Sequence, residues 1–261
     1  MYNTKEGVRK LAVYIHLPFC VRKCRYCDFN SGCYSEEIQK NYVNQLLKEI
    51  DWFFEENGSE KIEISSVFFG GGTPSVLPAG EIERILCKLK ERAEFEKDAE
   101  ISIEVNPGTV AEPETEEESK FEAYRRIGIN RVSIGMQSAS DEELKTLGRI
   151  HTFEEFKETY QLAVKAGFTN INVDVMYALP GQGFTSFEHS LRTVAELNPV
   201  HISAYSLIVE EGTPFYETDF AKEGKPLPDE DEERRMYESA AEILAEYGYE
   251  QYEISNYALP G

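Results

Sequence analysis

Short runs rich in β-branched and aromatic residues alternate with longer helical stretches along this 261-residue chain, and that alternation limits the fold more than any other feature. Six strand-like runs stand out: Leu11–Ile15, Ser66–Phe69, Glu100–Val105, Arg131–Met136, Ile171–Met176 and Val200–Leu207. Helical patterns fill the gaps at Glu36–Glu55, Pro78–Phe95, Glu114–Ile127, Phe153–Ala166 and Phe184–Leu197, with a further one at Asp229–Tyr247. Gly128 and Gly167 stand where C-terminal caps belong, and Pro199 follows another helix end. The pattern predicts an α/β fold of six right-handed βα units. Such units either curve into a partial barrel or form an open doubly wound sheet, and periodicity does not separate the two. Both place ligands at the carboxyl ends of the strands.

One large core suits a chain of this length. No apolar run reaches membrane-spanning length. MYNTKEGVRK leads straight into a strand pattern without a signal-peptide apolar stretch, so the cytoplasm is the expected compartment. Acidic residues outnumber basic ones 48 to 27, giving a net charge of −21, which argues against a nucleic-acid partner. The acidic runs Ala111–Ser119 and Asp229–Arg234 read as solvated helix starts.

Five cysteines, three of them within eight positions, do not make a disulfide framework. Cys20, Cys24 and Cys27 form CxxxCxxC directly after the first strand. Structural zinc usually takes four ligands, commonly as two pairs; no second pair exists, and the remaining candidate, His16, lies on a strand. Three thiolates instead hold three irons of a cubane and leave the fourth open to chemistry. Arg22, Lys23 and Arg25 interleave positive charge and are expected to lower thiolate pKa values. Cys33 lies just beyond the loop, and Cys87, in EIERILCKL, reads as a packing residue. His16 reads as a residue that orients the loop, and His151, His189 and His201 as satisfied structural histidines.

YIHLPFCVRKCRYCDFN resembles the cluster loop of the radical S-adenosylmethionine (SAM) superfamily. The resemblance implies a partial (βα)6 TIM-like barrel, a 4Fe-4S cluster on Cys20, Cys24 and Cys27, and SAM chelating the open iron. An electron from the cluster then cleaves SAM to a 5′-deoxyadenosyl radical, the cofactor carrying chemistry that the protein orients. FFGGGTPSVL is similar to the family's SAM-binding glycine motif and implies contacts from Gly71, Gly72 and Thr73; by itself it is an ordinary strand-to-helix turn. The same resemblance assigns SAM contacts to Glu104, Gln137, Arg149 and Asp174, with Tyr14 and Tyr26 lining the pocket. Taken singly, each of these has a structural reading; together they supply carboxylates for hydroxyls and an amino group, and an arginine for a carboxylate.

FGGGTPS, IEVNPGT, GINRVSIGMQS, LGRIH, VDVMYALPGQ and YEQYEISNYA extend the likeness to the branch that holds oxygen-independent coproporphyrinogen III dehydrogenases and HemW-type haem chaperones. The dehydrogenases carry a fourth cysteine where this chain has Phe29, and CDFN is the chaperone-type pattern. The resemblance therefore implies haem handling, with oxidative decarboxylation of coproporphyrinogen as the alternative. It also implies haem or porphyrinogen as ligand and an electron donor such as flavodoxin or ferredoxin. Residues 1–225 are expected to form the core. Residues 226–261 are expected to form the helix and strand-like start of a C-terminal region, which in such proteins contains an HNxxW segment and here stops at Gly261.

Overall fold

The computed structural model describes residues 8–58, 61–111, 113–116 and 118–260. The leader-free reading of the first seven residues, and the positions Glu112, Glu117 and Gly261, lie outside the described residues.

Each expected strand forms, and most are longer than the apolar runs that signal them. β1 (Val8–Leu17), β2 (Lys61–Gly71), β3 (Glu94–Val105), β4 (Arg131–Gln137), β5 (Asn170–Tyr177) and β6 (His201–Ser206) lie side by side in chain order, all parallel. β3 starts at Glu94 because ladder partners on β2 hold its polar beginning; Glu63 pairs with Glu94. The strand-like stretch after the last helix forms a hairpin, β7 (Glu250–Glu253) and β8 (Asn256–Ala258), that extends the sheet antiparallel past β6. The order is β1-β2-β3-β4-β5-β6-β8-β7, so β1 and β7 are its two edges and the barrel is open. Crossover helices between parallel neighbours decide between the two candidate architectures: the order never reverses, as a doubly wound sheet requires.

The helices are α1 (Glu36–Glu56), α2 (Ala79–Arg92), α3 (Lys120–Ile127), α4 (Asp141–Leu147), α5 (Phe153–Lys165), α6 (Phe184–Glu196) and α7 (Glu230–Glu246). Ser119 and Thr152 build capping boxes with Glu122 and Glu155, satisfying orphan N–H groups at the starts of α3 and α5. Asp229 caps α7, and the acids that follow it fill the first turn, as expected. The other acidic run behaves differently. α3 starts at Lys120 and not at Glu114, and the Glu114 carboxylate accepts from the backbone N–H of Ala79 at 2.8 Å, serving the start of α2 instead. No described helix is long and apolar enough to cross a membrane.

The main core lies where the helices meet the sheet, with Ile64, Phe69, Ile103, Val173, Phe187 and Leu191 fully buried. Burial of each such side chain stabilises by about 1.5–3 kcal/mol. A satellite core of Leu147, Met176, Leu179, Leu207, Phe215 and Phe220 lies at the carboxyl end of the strands, and Tyr26 packs on it. It gives the cysteine loop a fixed floor. Cys87 departs from its packing expectation, since it is exposed on α2.

Candidate functional site

The cysteine loop is tied down from three sides. Cys20 N–H donates to Gly32 O at 2.9 Å, Arg25 N–H donates to Leu147 O at 3.0 Å, and Phe215 N–H donates to Arg25 O at 3.0 Å. His16 does orient the loop: its Nε2 lies 2.9 Å from Asn30 O. The glycine strand end lies directly against the loop. Thr73 N–H donates to Phe19 O, and a Cβ on Gly72 would come within 2.8 Å of the Phe19 backbone. Gly71 adopts φ of +114°, where a side chain is strained.

One cavity of about 670 Å³ opens beside this loop and runs down the concave face of the sheet. Cys20, Cys24, Cys27, Tyr26, Gly72, Thr73, Glu104, Gln137, Arg149 and Asp174 line it. Two expected residues do not. Tyr14 is 57% exposed on edge strand β1 and stacks on Phe68, which does line the cavity. Gly71 acts from behind, its N–H donating to Glu104 Oε2 at 3.2 Å.

The lining follows strand periodicity, with alternate residues facing one side. Arg131, Ser133, Gly135 and Gln137 come from β4, Asn172 and Asp174 from β5, and His201, Ser203 and Tyr205 from β6. Tyr252, Ser255 and Asn256 close the far end. Sequence reasoning missed Arg131, Ser133, Asn172, Ser203, Tyr205, Tyr252 and Asn256. The signal was the recurrence of polar residues at every second position of otherwise apolar strands.

The cavity is electrostatically uneven. Burial pushes the Glu104 carboxyl up to about 7, and the nearby Asp174 charge adds to this, against the Gly71 N–H. Burial also raises Asp174, although Asn172 and Ser133 donate to it at 2.8 and 3.3 Å. On the loop side, Arg149 NH1 lies 3.7 Å from Cys24 Sγ and NH2 donates to Gly135 O at 3.1 Å, while Nε is buried without a partner among the described residues. Tyr205 donates to Gln137 Oε1 at 2.9 Å, and Gln137 itself has φ of +67°. His201 is satisfied between Asn172 and Tyr252, and burial together with the Arg131 charge lowers it to about 4.

The expected role of the loop cations needs correction. Arg22 donates to the carbonyls of Gly148 and Arg149, and Arg25 lies over the Phe215 ring, 5.1 Å from its centroid. Lys23 does lower Cys27, but burial is the larger effect and raises that thiol. The cation that touches one of these cysteines is Arg149, from outside the loop.

These residues fit a 4Fe-4S cluster with SAM. All three thiols are free and half-buried on one anchored loop. Among the described residues no three metal-ligating groups converge on a single ion, and a cubane does not ask for this because each thiolate holds a different iron. Glu104 and Asp174 leave buried negative charge that a sulfonium and an ammonium group would compensate. Asn106 Oδ1, also in the cavity wall, is a buried acceptor without a partner among the described residues.

Comparisons agree with the geometry. The chain is 41% identical over 252 residues to "Heme chaperone HemW" of Escherichia coli (strain K12), and 33% identical over 252 residues to the protein of that name in Bacillus subtilis (strain 168). Each match covers 96% of this chain and 63% or 64% of the relative, so the chain spans somewhat under two thirds of their length. Among solved structures, coproporphyrinogen III oxidase (HemN) from Escherichia coli superposes with a TM-score of 0.83 at 29% identity, covering 98% of this chain and 57% of that one. An archaeal Elp3 from Methanocaldococcus infernus, at 21% identity and a TM-score of 0.55, shares the fold over 94% of this chain and 54% of its own. The sequence model described as "Radical SAM superfamily" matches residues 14–194, which span the end of β1, the cysteine loop, the glycine strand end and the parallel strands β2 to β5, and the chain belongs to that superfamily.

Proposed function

We propose that this chain is the radical SAM core of a HemW-type haem chaperone, binding a 4Fe-4S cluster on Cys20, Cys24 and Cys27 and one SAM in the adjoining cavity. When bound, the cluster supplies the electron that cleaves the SAM sulfonium. The protein's own residues orient and hold. Arg149 beside Cys24, with the Gln137 amide in the same cavity wall, presents donors suited to the SAM carboxylate. Glu104 and Asp174 accept from the amino group and the ribose hydroxyls, and Tyr26, packed on the satellite core, keeps water from one side of the loop. Residues 226–261 form an extension whose hairpin lengthens the sheet and contributes Tyr252 and Asn256 to the wall. The cytoplasm is the proposed compartment and a low-potential flavodoxin or ferredoxin the proposed donor.

The observation that carries the chaperone reading is the 41% identity, over 96% of this chain, to a haem chaperone, joined to Phe29 at the position of the dehydrogenases' fourth cysteine. Phe29 is 62% exposed at the cavity mouth. Anaerobic haemin titration of the reconstituted protein, followed by transfer to an apo-haemoprotein, tests it. Stoichiometric haem binding and transfer, without protoporphyrinogen formed from coproporphyrinogen III, is the expected result. Formation of protoporphyrinogen would establish the decarboxylase instead, the reading that the HemN-like fold favours.

A further inference from the structure

A second hollow, of about 540 Å³, lies on the other side of the cysteine loop from the cofactor cavity, between that loop and the end of α4. Arg22, Lys23, Arg25 and Lys145 line it, against a single carboxylate, Asp141. Burial keeps His151, also in its wall, neutral by lowering it to about 4. On a chain with 48 acids and 27 bases, so many bases gathered against one acid need explanation. Several cations elsewhere are matched, with Lys61, Arg84, Arg126, Lys157, Arg192 and Lys225 each within 4.0 Å of a carboxylate, and those unmatched among the described residues, such as Lys40 on α1, are not gathered in this hollow. None of the four groove cations has a carboxylate that close among the described residues. Arg22 and Lys23 bind backbone carbonyls, Arg25 binds Thr218 and Phe215, and the exposed Lys145 has no side-chain partner among the described residues.

The groove also reaches the cluster ligands. Arg22, Lys23 and Arg149 line both hollows, and Arg149 NH1 is 3.7 Å from Cys24 Sγ. A molecule seated in the groove is therefore separated from the cluster by one side chain. We propose that this groove is the docking surface for a small acidic one-electron carrier protein that reduces the cluster. This rests on the cluster reading above. The exchange balances with one electron and no proton: the carrier is oxidised by one electron as the cluster goes from the 2+ to the 1+ state. The net charge of −21 repels an acidic partner from most of the surface, so a local positive groove both attracts and orients it. The same net charge opposes a long polyanion such as RNA.

The test is stopped-flow reduction of the reconstituted protein by a reduced flavodoxin, with reduced methyl viologen, a small cation, as the comparison reductant. At about 0.01 M salt, Lys145→Glu should slow flavodoxin reduction roughly tenfold, and the difference should vanish near about 1 M salt, where the Debye length is about 3 Å. Reduction by viologen should not slow, and Lys40→Glu, the same charge change on exposed α1, should match wild type. Equal flavodoxin rates for wild type and Lys145→Glu at low salt would overturn the proposal. So would an equal loss in Lys40→Glu, or loss of single-stranded RNA binding by Lys145→Glu with flavodoxin reduction intact. A protein that holds no cluster reveals itself in the resting absorption spectrum, and salt-sensitive binding of flavodoxin to that preparation still reads the groove.

Discussion

Glu104→Gln separates the site's demand for a charged carboxylate from its cost to folding. The Glu104 carboxyl is raised from 4.5 to about 7, chiefly by burial and then by Asp174. An acid whose folded pKa exceeds its unfolded one contributes stability that is fully present below the unfolded value, about 4.5, and is lost as pH rises through about 7. The full shift corresponds to about 3 kcal/mol, of which about 2.5 kcal/mol falls between pH 5 and pH 8. Glutamine keeps the shape and an oxygen to accept the Gly71 N–H at 3.2 Å, but carries no charge. Urea unfolding of the SAM-free protein at both pH values should show Glu104→Gln gaining about 2.5 kcal/mol relative to wild type between pH 5 and pH 8. SAM should in turn stabilise wild type more than the variant at pH 8, because only wild type offers it a carboxylate. A difference between variant and wild type that is the same at both pH values would refute the electrostatic account.

Other outcomes follow from the same geometry. Cys24→Ala should abolish the 4Fe-4S absorption and EPR signature after anaerobic reconstitution, while circular dichroism stays near wild type. A Cβ at Gly135 would stand 2.6 Å from Gln137 Nε2 and 3.0 Å from Arg149 NH2, so Gly135→Ala should weaken SAM binding measured by calorimetry by about tenfold, roughly 1.4 kcal/mol. Tyr205→Phe removes the hydrogen bond that fixes the Gln137 amide and should cost about 1 kcal/mol of SAM affinity, a roughly fivefold rise in Kd. Phe187→Ala, deep in the main core beside Tyr177, should destabilise the fold by about 3–5 kcal/mol in denaturant unfolding.

The alternation of strand and helix patterns specified the six parallel strands and the long helices, because each repeat must bury one face against the next. Patterning failed where a different interaction decides the boundary. Glu114 has the composition of a helix start, but its carboxylate serves Ala79, and Ser119 with Glu122 sets the real beginning of α3. α4 spans only Asp141–Leu147, too short to show a period, although Ser140 and Gly148 mark its ends. The end of the chain reads as strand-like, but β7 and β8 are short and largely exposed, so no apolar alternation signals that they pair as a hairpin.

By itself the sequence marked the cysteine loop: three thiols at CxxxCxxC are a local pattern whose expected chemistry depends on spacing more than on the fold. It also marked Glu104 and Gln137 at strand ends, Asp174 within a strand and Arg149 just before a helix as polar residues of the site. Only the tertiary structure decided what faces what. It set Arg149, not the loop's own cations, against Cys24, placed Tyr14 outside the cavity wall, and gathered Arg22, Lys23, Arg25 and Lys145 into one groove. Those relations join residues more than a hundred positions apart, and the curvature and register of the sheet set their distances, which no local pattern encodes.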